Sequence, residues 1–289
     1  MKISSKIFSA YLELTKPRIM TLVLVTTFLG FFLATKNVSS WPTLILTLVG
    51  AAFVCGGASA LNHYLERDVD CLMARTKNRP IPSGLISPAN ALGFGLLLVL
   101  LGTLLLAVKV NLLTAFLSLL TAFLYVLVYT PLKRISWLNT FIGAIPGAIP
   151  PMGGWAAAVN NLDLGAWVLF AILFVWQHPH FFAIAWMCKD DYAKGGFKML
   201  PVVQPDGKST FFLIKFFSIL LIPVSILPSL IGLSGKVYFW GALMASSLLV
   251  AIGMSLAISR SSVTAKRMLA ATVYYLPVLL LLIILDVSF

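Results

Sequence analysis

Long apolar segments, separated by short polar loops, run through almost the whole chain. A helix needs about 20 residues to cross the hydrocarbon core of a bilayer, because each residue advances it by about 1.5 Å. The apolar segments reach that length, and nearly all charged residues fall in the loops between them. The pattern predicts nine membrane-spanning helices, at residues 18–35, 41–65, 89–108, 111–129, 138–159, 164–187, 210–232, 237–258 and 268–286.

Helix breakers modify this pattern at two places. The fifth predicted span contains Pro146, Pro150 and Pro151. It should therefore be kinked or broken, with its freed carbonyl groups facing protein or a cavity. The loop after the second span holds two prolines and a glycine within residues 79–84, too many breakers for a helix. At the start of the chain, residues 1–16 are predicted to form a short basic tail.

The distribution of positive charge predicts how the spans are oriented. Of the 21 Lys and Arg residues, 17 fall in segments on the side of the N-terminus and three on the opposite side, while Lys215 lies inside the seventh span. Loops rich in Lys and Arg remain in the cytoplasm. The N-terminus is therefore predicted to be cytoplasmic and the C-terminus periplasmic. Loops 66–88 and 188–209 should both face the cytoplasm.

Composition supports a multi-pass membrane protein with a single transmembrane domain over residues 1–289. Charged residues make up 10% of the chain, hydrophobic residues 60%, and the mean hydropathy is +0.99. The net charge of +12 does not indicate nucleic-acid binding, because the cations lie in short loops and not in a basic domain. Cys55, Cys71 and Cys188 form no metal-binding or disulfide pattern. No Arg- and Ser-rich transit peptide precedes the first span, which favours the inner membrane of a bacterium.

An acidic motif lies where the second apolar segment ends. Asn62, Glu66 and Asp70 recur at every fourth residue, so on a helix they would share one face, each about 6 Å from the next. Asp68 would point about 200° away from Glu66. Two carboxylates and an amide on one stripe offer the hard oxygen ligands that a divalent cation prefers. The alternative is a solvated loop at the membrane surface.

A second acidic pair, Asp190 and Asp191, lies in loop 188–209, four spans further along the chain. Topology does not explain carboxylates on the basic side of a membrane protein, whereas a bound metal ion would. Several cations near the two acidic clusters are candidates to contact a phosphate group: Arg75, Lys77, Arg79, Lys133, Arg134, Lys189 and Lys194.

Five motifs together resemble the UbiA prenyltransferase superfamily over nearly the whole chain. They are Asn62-x-x-x-Glu66-x-Asp68-x-Asp70, Arg75-Thr76-x-x-Arg79-Pro80, Tyr129-Thr130-x-x-Lys133-Arg134, Pro150-Pro151-x-Gly153-x-Trp155 and Pro179-His180-Phe181. Any one of these motifs alone would be weak evidence. Within the superfamily, the chain looks most like the branch that farnesylates haem.

The resemblance implies an all-α bundle of nine transmembrane helices with two aspartate-rich motifs, which hold the diphosphate of an isoprenoid donor through Mg²⁺. Asn62, Glu66 and Asp70 match the first motif, although Glu66 replaces the aspartate usual in relatives that prenylate quinone precursors. Asp190 and Asp191 are the acids left for the second motif. The implied metal ligands are therefore Glu66, Asp70, Asp190 and Asp191.

The resemblance also implies the reaction. The farnesyl group of farnesyl diphosphate would join the vinyl group of protohaem IX (haem B), with addition of water, to give haem O and diphosphate. Haem O would then serve haem A synthase or the assembly of a haem-copper oxidase. His180 stands near the position where relatives carry an acid, so His180, and after it His178, would meet the haem. A hydrogen-bonded structural role is the alternative for both histidines.

Two other functions remain open from the sequence. A prenyltransferase that acts on an aromatic quinone precursor would share the donor site, but His180 and the stretch 199–201 argue against it. A small-molecule membrane transporter would suit the many spans and the proline-rich fifth one. Its ionisable residues would be expected near mid-membrane, whereas those of this chain cluster at one face.

Overall fold

A computed structural model describes residues 2–287, with side chains from Lys6 onward. This part of the chain is helical, and its only strand-like feature is an isolated bridge between Ser234 and Val287. The elements are α1 Lys2–Leu14, α2 Pro17–Thr35, α3 Trp41–Asp70, α4 Pro88–Lys109, α5 Leu112–Phe123, a π-helical segment Leu124–Tyr129, α6 Thr130–Leu132, α7 Asn139–Ala148, α8 Pro150–Val159, α9 Leu164–Met187, α10 Lys189–Lys194, α11 Leu200–Val203, α12 Lys208–Leu230, α13 Lys236–Ser259 and α14 Ser262–Leu285.

Eight stretches within the described residues are long and apolar enough to cross a membrane. Each coincides with a predicted span, so the all-α membrane architecture predicted from hydropathy is confirmed. Apolar side chains such as Leu100, Phe116 and Leu248 remain exposed along these helices, as expected of surfaces that contact lipid. The eight stretches are α2, α3, α4, Leu112–Leu132, α9, α12, α13 and α14.

The remaining predicted span, the fifth, is broken, as its prolines predicted. It consists of α7 and α8, ten residues each, which meet at Ile149 and are individually too short to cross a bilayer. Pro146 lies inside α7, and Pro150 is the first residue of α8. The Gln177 side chain on α9 donates to the carbonyl oxygen of Ala144 at 3.2 Å, which ties α7 to its neighbour.

The basic tail predicted over residues 1–16 is wrong in the described part of that range, because Lys2–Leu14 forms α1. Ala10 and Leu14 of this helix are buried in an apolar cluster with residues of α3, α4 and the loop between them. The tail was predicted from the basic residues in this range, and these do not reveal the apolar face that packs against the other helices.

Two helices also extend beyond the predicted spans, because their polar flanking residues are helical as well. Helix α3 ends at Asp70 and not near residue 65, so the whole acidic motif is helical. Helix α14 begins at Ser262, well before residue 268, and the Ser261 hydroxyl caps it by accepting from the N–H of Thr264. Loop 188–209 is not a simple loop, since it contains the short helices α10 and α11.

The π-helical segment Leu124–Tyr129 interrupts the fourth span. The N–H of Thr130 donates to the carbonyl oxygen of Tyr125, five residues earlier, and the Thr130 hydroxyl donates to the same oxygen at 2.8 Å. Single π turns inside α-helices are rare and often lie at functional sites. Helix α6 continues directly from this segment and ends at Leu132, and the next residue, Lys133, contacts Glu66 of α3.

Helix α3, which carries the acidic motif, packs closely against α4 because small residues face each other. A Cβ atom at Gly57 of α3 would lie 2.6 Å from the carbonyl oxygen of Gly95, so no residue with a side chain fits at position 57 while the helices stay this close. Helices α2 and α8 meet in the same way, since a Cβ at Gly30 would overlap the carbonyl oxygen of Pro151. Such contacts fix helix positions in membrane proteins.

We expect reporter fusions to place loops 66–88 and 188–209 on the same, cytoplasmic side, because 17 of the 21 cations lie on that side. Green fluorescent protein fused after Gly84 or Gly196 should fluoresce. Alkaline phosphatase fused after Asn160 or Gly232 should be active in the periplasm. Loops on opposite sides would contradict the fold, in which a side chain of the second loop binds the backbone of the first.

Candidate active site

The acidic motif forms a buried stripe on the last turns of α3. Asn62, Glu66 and Asp70 are all buried and lie on one face, as the four-residue spacing predicts. Asp68 points to solvent, with 78% of its side chain exposed, and lies 3.6 Å from Arg67. The solvated-loop interpretation is therefore wrong for the stripe, and Asp68 is solvated but lies on the same helix.

Arg79 closes over the end of the stripe. Its Nη1 donates to both carboxylate oxygens of Asp70 at 2.8 Å and lies 3.9 Å from Oε2 of Glu66. The chain turns back towards α3 because the Thr76 hydroxyl donates to the carbonyl oxygen of Asp70 at 3.0 Å. This bond holds the first turn of the loop against the helix end, so Arg79 returns to the stripe that precedes it.

Lys133 reaches the middle of the stripe from the end of α6. Its Nζ donates to Oε1 of Glu66 at 2.6 Å and lies 4.5 Å from the centre of the Tyr129 ring. Burial alone would lower the pKa of Lys133, but Tyr129 and Glu66 together raise it above its ordinary value. The surroundings of Lys133 therefore favour its charged form beside Glu66.

Lys16, at the junction of α1 and α2, completes the site. Its Nζ donates to Oδ1 of Asn62 at 2.6 Å and to the hydroxyl of Tyr125 at 3.0 Å. Asn62 in turn donates through Nδ2 to Oγ1 of Thr130 at 3.0 Å. Burial, followed by the positive charge of Arg79, lowers the pKa of Lys16 to about 7. An anion bound nearby would favour the charged form of this amine.

Sequence reasoning missed Lys16 as a site residue and counted it only as a topological charge. Its position could have indicated the site. Lys16 directly precedes Pro17 at the start of the first span, on the same side of the membrane as the two polar loops. Its backbone is left-handed, with φ of 51°, which is uncommon for a residue with a side chain. Such conformations concentrate at sites where function requires a particular side-chain position.

We name Lys16, Arg79 and Lys133 the cation cage. Three cations face two carboxylates, Glu66 and Asp70, so the buried cluster carries excess positive charge when all five groups are ionised. Burying unbalanced charge is costly unless a counter-charge is supplied. The cluster is therefore suited to an anionic ligand.

The two polar loops meet, as predicted, and backbone groups join them. The carboxylate of Asp191 accepts from the backbone N–H groups of Ala74 and Arg75, at 3.0 and 3.4 Å. The N–H of Lys198 donates to the carbonyl oxygen of Lys133 at 2.6 Å. The second loop thus holds both the loop that carries Arg79 and the turn that carries Lys133.

The structure gives Asp190 and Asp191 no direct contact with the stripe. Asp190 is exposed, and Asp191 is occupied by backbone N–H groups. Among the described residues, no three His, Cys, Asp or Glu side chains gather into a metal-binding group. Their role as metal ligands stays a prediction, as does the metal role of Glu66 and Asp70.

Of the seven cations proposed for a phosphate group, the structure brings Arg79 and Lys133 to the stripe. The Arg75 guanidinium lies 5.8 Å from the centre of the Tyr192 ring, and Nζ of Lys189 lies 4.5 Å from the ring of Trp186. The other three are exposed: Lys77, Arg134 and Lys194.

His180 and His178 differ in what their ring nitrogens can do. The Thr272 hydroxyl donates to a backbone carbonyl, so Nδ1–H of His180 donates to Oγ1 of Thr272, at 2.9 Å, and Nε2 keeps its lone pair. His180 is also partly exposed. His178 is fully buried and stacks on Phe217, with ring centres 3.8 Å apart. His180 is thus the more accessible of the two.

His63 is a third buried histidine and was not predicted as a site residue. It follows Asn62 on α3 and is 3% exposed, and neither of its ring nitrogens has a hydrogen-bond partner. Buried polar atoms without a partner are rare and call for an explanation such as an absent ligand or water.

Comparison with known proteins places this geometry in a family. Residues 23–283 match the model of the UbiA prenyltransferase family. The chain belongs to this family. Its similarity to relatives named protoheme IX farnesyltransferase extends over nearly the full length. The relative from Solibacter usitatus is 45% identical over 96% of this chain and 98% of its own length. The relative from Salinibacter ruber is 44% identical over 96% and 98% of the two chains.

Solved structures establish the UbiA fold independently. A digeranylgeranylglyceryl phosphate synthase structure superposes with a TM-score of 0.82 at 19% identity, over 97% of this chain and 98% of that one. A UbiA homolog from Archaeoglobus fulgidus, bound to GPP and Mg²⁺, superposes with a TM-score of 0.64 at 18% identity, over 95% and 99% of the two chains. At these identities the agreement concerns the fold.

Proposed function

We propose that this UbiA-family chain transfers the farnesyl group of farnesyl diphosphate to the vinyl group of protohaem IX, with addition of water, giving haem O and diphosphate. The 45% identity with a protoheme IX farnesyltransferase over almost both chains supports the substrate pair. The structural observation that carries the proposal is the buried cation cage beside the carboxylate stripe, because this arrangement suits the diphosphate of a prenyl donor.

The cation cage has the chemistry that the leaving group requires. As the allylic C–O bond breaks, negative charge grows on the bridging oxygen of the diphosphate. Arg79, Lys133 and the charged form of Lys16 are positioned to neutralise that charge in a buried site, where electrostatic stabilisation is strong. The unpaired nitrogens of His63 add hydrogen-bonding capacity on the same helix.

The donor set of the stripe fits Mg²⁺. Asn62, Glu66 and Asp70 present hard oxygen atoms on one buried face, the ligand type that Mg²⁺ prefers. When bound, Mg²⁺ would neutralise diphosphate oxygens together with the cage. A UbiA homolog from Archaeoglobus fulgidus has been solved with DMAPP and Mg²⁺, which supports use of this ion within the family.

The rings of Tyr125 and Tyr129 stack beside the cage, with centres 5.7 Å apart. Each ring contacts one amine of the cage: the Tyr125 hydroxyl accepts from Lys16, and the Tyr129 ring lies beside Nζ of Lys133. This aromatic wall would keep water from the allylic cation until the vinyl carbon attacks it.

The proposal includes a location and a pathway. The chain would lie in the inner membrane of a bacterium, with its N-terminus in the cytoplasm and its C-terminus in the periplasm. Its product, haem O, would supply haem A synthase or the assembly of a haem-copper oxidase. The positive-inside distribution of Lys and Arg supports the orientation.

One assay tests the proposed reaction. Purified protein in lipid vesicles is incubated with haem B, farnesyl diphosphate and Mg²⁺, and the extracted haem is examined by mass spectrometry. We expect the mass of haem O to appear only when all three are present. Prenylation of an aromatic quinone precursor in place of haem, or solute uptake without any prenylation, would favour the quinone-precursor enzyme or the transporter.

We expect His180→Ala to weaken haem binding while leaving farnesyl diphosphate binding nearly intact. The bond from Nδ1–H to Thr272 leaves the Nε2 lone pair available to the haem iron. Haem absorbance titrations and isothermal titration with farnesyl diphosphate measure the two affinities separately. His178→Phe is the matched control, because His178 is fully buried among aromatic rings. If the variant lost affinity for farnesyl diphosphate and kept its affinity for haem, His180 would instead belong to the diphosphate site.

A further inference from the structure

Helix α1 presents three different faces around its axis. Ala10 and Leu14 are 3% and 0% exposed, because they pack in an apolar cluster with α3, α4 and the loop between them. Ile7, Phe8 and Leu12 are also apolar, yet they are 42%, 73% and 48% exposed. Phe8 and Leu12, about 40° apart around the helix, therefore form a second, exposed apolar face, and Ile7 lies at the border with the buried one.

Polar residues occupy the third face. Lys6, Ser9 and Glu13 are all exposed. At about 100° per residue, these three fall within one sector of about 60°, which begins about 60° beyond Leu12 around the helix. Proceeding around the helix, one sector faces protein, the next is apolar and exposed, and the next is polar and exposed.

The position of α1 identifies what covers the exposed apolar sector. The helix ends at Leu14, and the first membrane span begins at Pro17, so α1 lies where the chain enters the bilayer. It also packs against Phe94, the seventh residue of α4, through an edge-on contact with Tyr11 at 4.9 Å between ring centres. A helix with separate apolar and charged sectors at this level fits the boundary between lipid headgroups and acyl chains.

We propose that α1 is an interfacial helix that inserts Ile7, Phe8 and Leu12 into the lipid leaflet on the side of the candidate site. Lys6, Ser9 and Glu13 face water. The partner is the bilayer itself, since the exposed sector is apolar and α1 directly precedes the first span. If a second copy of the chain covered this sector instead, the sector would be shielded from lipid as well as from water.

This interfacial anchor bears on the cation cage because α1 touches two of the segments that supply it. Lys16 follows α1 after a single residue, with its backbone held in the left-handed region. The buried face of α1 also packs with Ile81 and Ile86, which belong to the loop that carries Arg79. Lipid contact with α1 would therefore hold both Lys16 and the Arg79 loop in place.

Spin-label accessibility tests the insertion without reference to catalysis. Cys55, Cys71 and Cys188 are replaced by alanine, and a nitroxide is attached at Phe8→Cys or, as the matched control, Ser9→Cys. In vesicles of phosphatidylethanolamine and phosphatidylglycerol, we expect the label at position 8 to collide mainly with oxygen. The label at position 9 should collide mainly with a water-soluble nickel complex. Equal exposure of both labels to nickel would overturn the proposal, as would a label at position 8 that is shielded from both reagents.

A second pair of variants tests the coupling to the cage. Phe8→Glu places a carboxylate in the apolar sector, whereas Ser9→Glu places one in the polar sector. We expect Phe8→Glu to weaken binding of inorganic diphosphate several-fold in vesicles and Ser9→Glu to leave it unchanged. Equal effects of the two variants, or none, would overturn the coupling. If the unaltered protein bound no diphosphate, the proposed function would fail while the spin-label result would still decide the placement of α1.

Discussion

Glu66→Gln and Asp70→Asn should each abolish turnover while the protein remains folded in the membrane. Both carboxylates are buried on the stripe, and each is an expected Mg²⁺ ligand as well as the partner of a cage cation. The substituted amides still offer an oxygen to Lys133 or Arg79, so the hydrogen bonds that organise the site can persist. What is lost is the charge that a hard cation requires. Steady-state turnover and size-exclusion elution measure the two effects.

Asp68→Asn is the matched control for this experiment. It removes the same charge from the same helix, but its side chain points to solvent. We expect turnover close to that of the unaltered protein. A loss equal to that of Glu66→Gln would show that the stripe does not act as a single buried face.

Lys133→Met is expected to reduce turnover by about 100-fold or more, the range seen when a buried electrostatic stabiliser is removed from an active site. It also leaves Glu66 with only Arg79 at 3.9 Å. Breaking a buried ion pair in this way costs about 3–5 kcal/mol of stability. Thermal unfolding followed by circular dichroism should detect that loss alongside the turnover assay.

Two comparisons separate catalysis from stability at Lys133. Arg134→Met removes the adjacent cation, which is exposed, and should change neither turnover nor thermal unfolding. The double variant Lys133→Met with Glu66→Gln removes both charges of the pair, and we expect it to recover stability without activity. Recovery of activity in the double variant would contradict a direct role for Lys133 at the diphosphate.

Hydropathy predicted the spans because the bilayer imposes one length and one polarity on every crossing segment. Hydropathy could not place the helix ends, because a helix can continue beyond its apolar segment into polar residues that keep its backbone hydrogen bonds. Helix α3 therefore runs on through its acidic motif to Asp70. The break in the fifth span was predictable because three prolines, at residues 146, 150 and 151, remove backbone donors close together. A single proline has a weaker effect, since α9 continues past Pro179.

The site was predictable only in part. The four-residue spacing identified Asn62, Glu66 and Asp70, because a helix converts that spacing into a shared face. No comparable rule selects Arg79 and Lys133 from seven nearby cations, since their positions depend on turns closed by tertiary contacts. Lys16 lies 46 residues from Asn62, and local patterns do not reveal a pair so far apart.

The π-helical segment sets the register in which the end of the fourth span meets α3. A π turn accommodates one residue more than an α turn, so each side chain after it is rotated by about 100° from the register of α5. If the same residues closed into regular α turns, Lys133 would rotate away from Glu66 and Thr130 away from Asn62. Deletion of one residue of the segment, such as Leu127, would remove the extra residue that the wide turn holds and would leave both contacts in place. A turn that carries no charge of its own thus decides whether a lysine and a threonine reach the buried stripe.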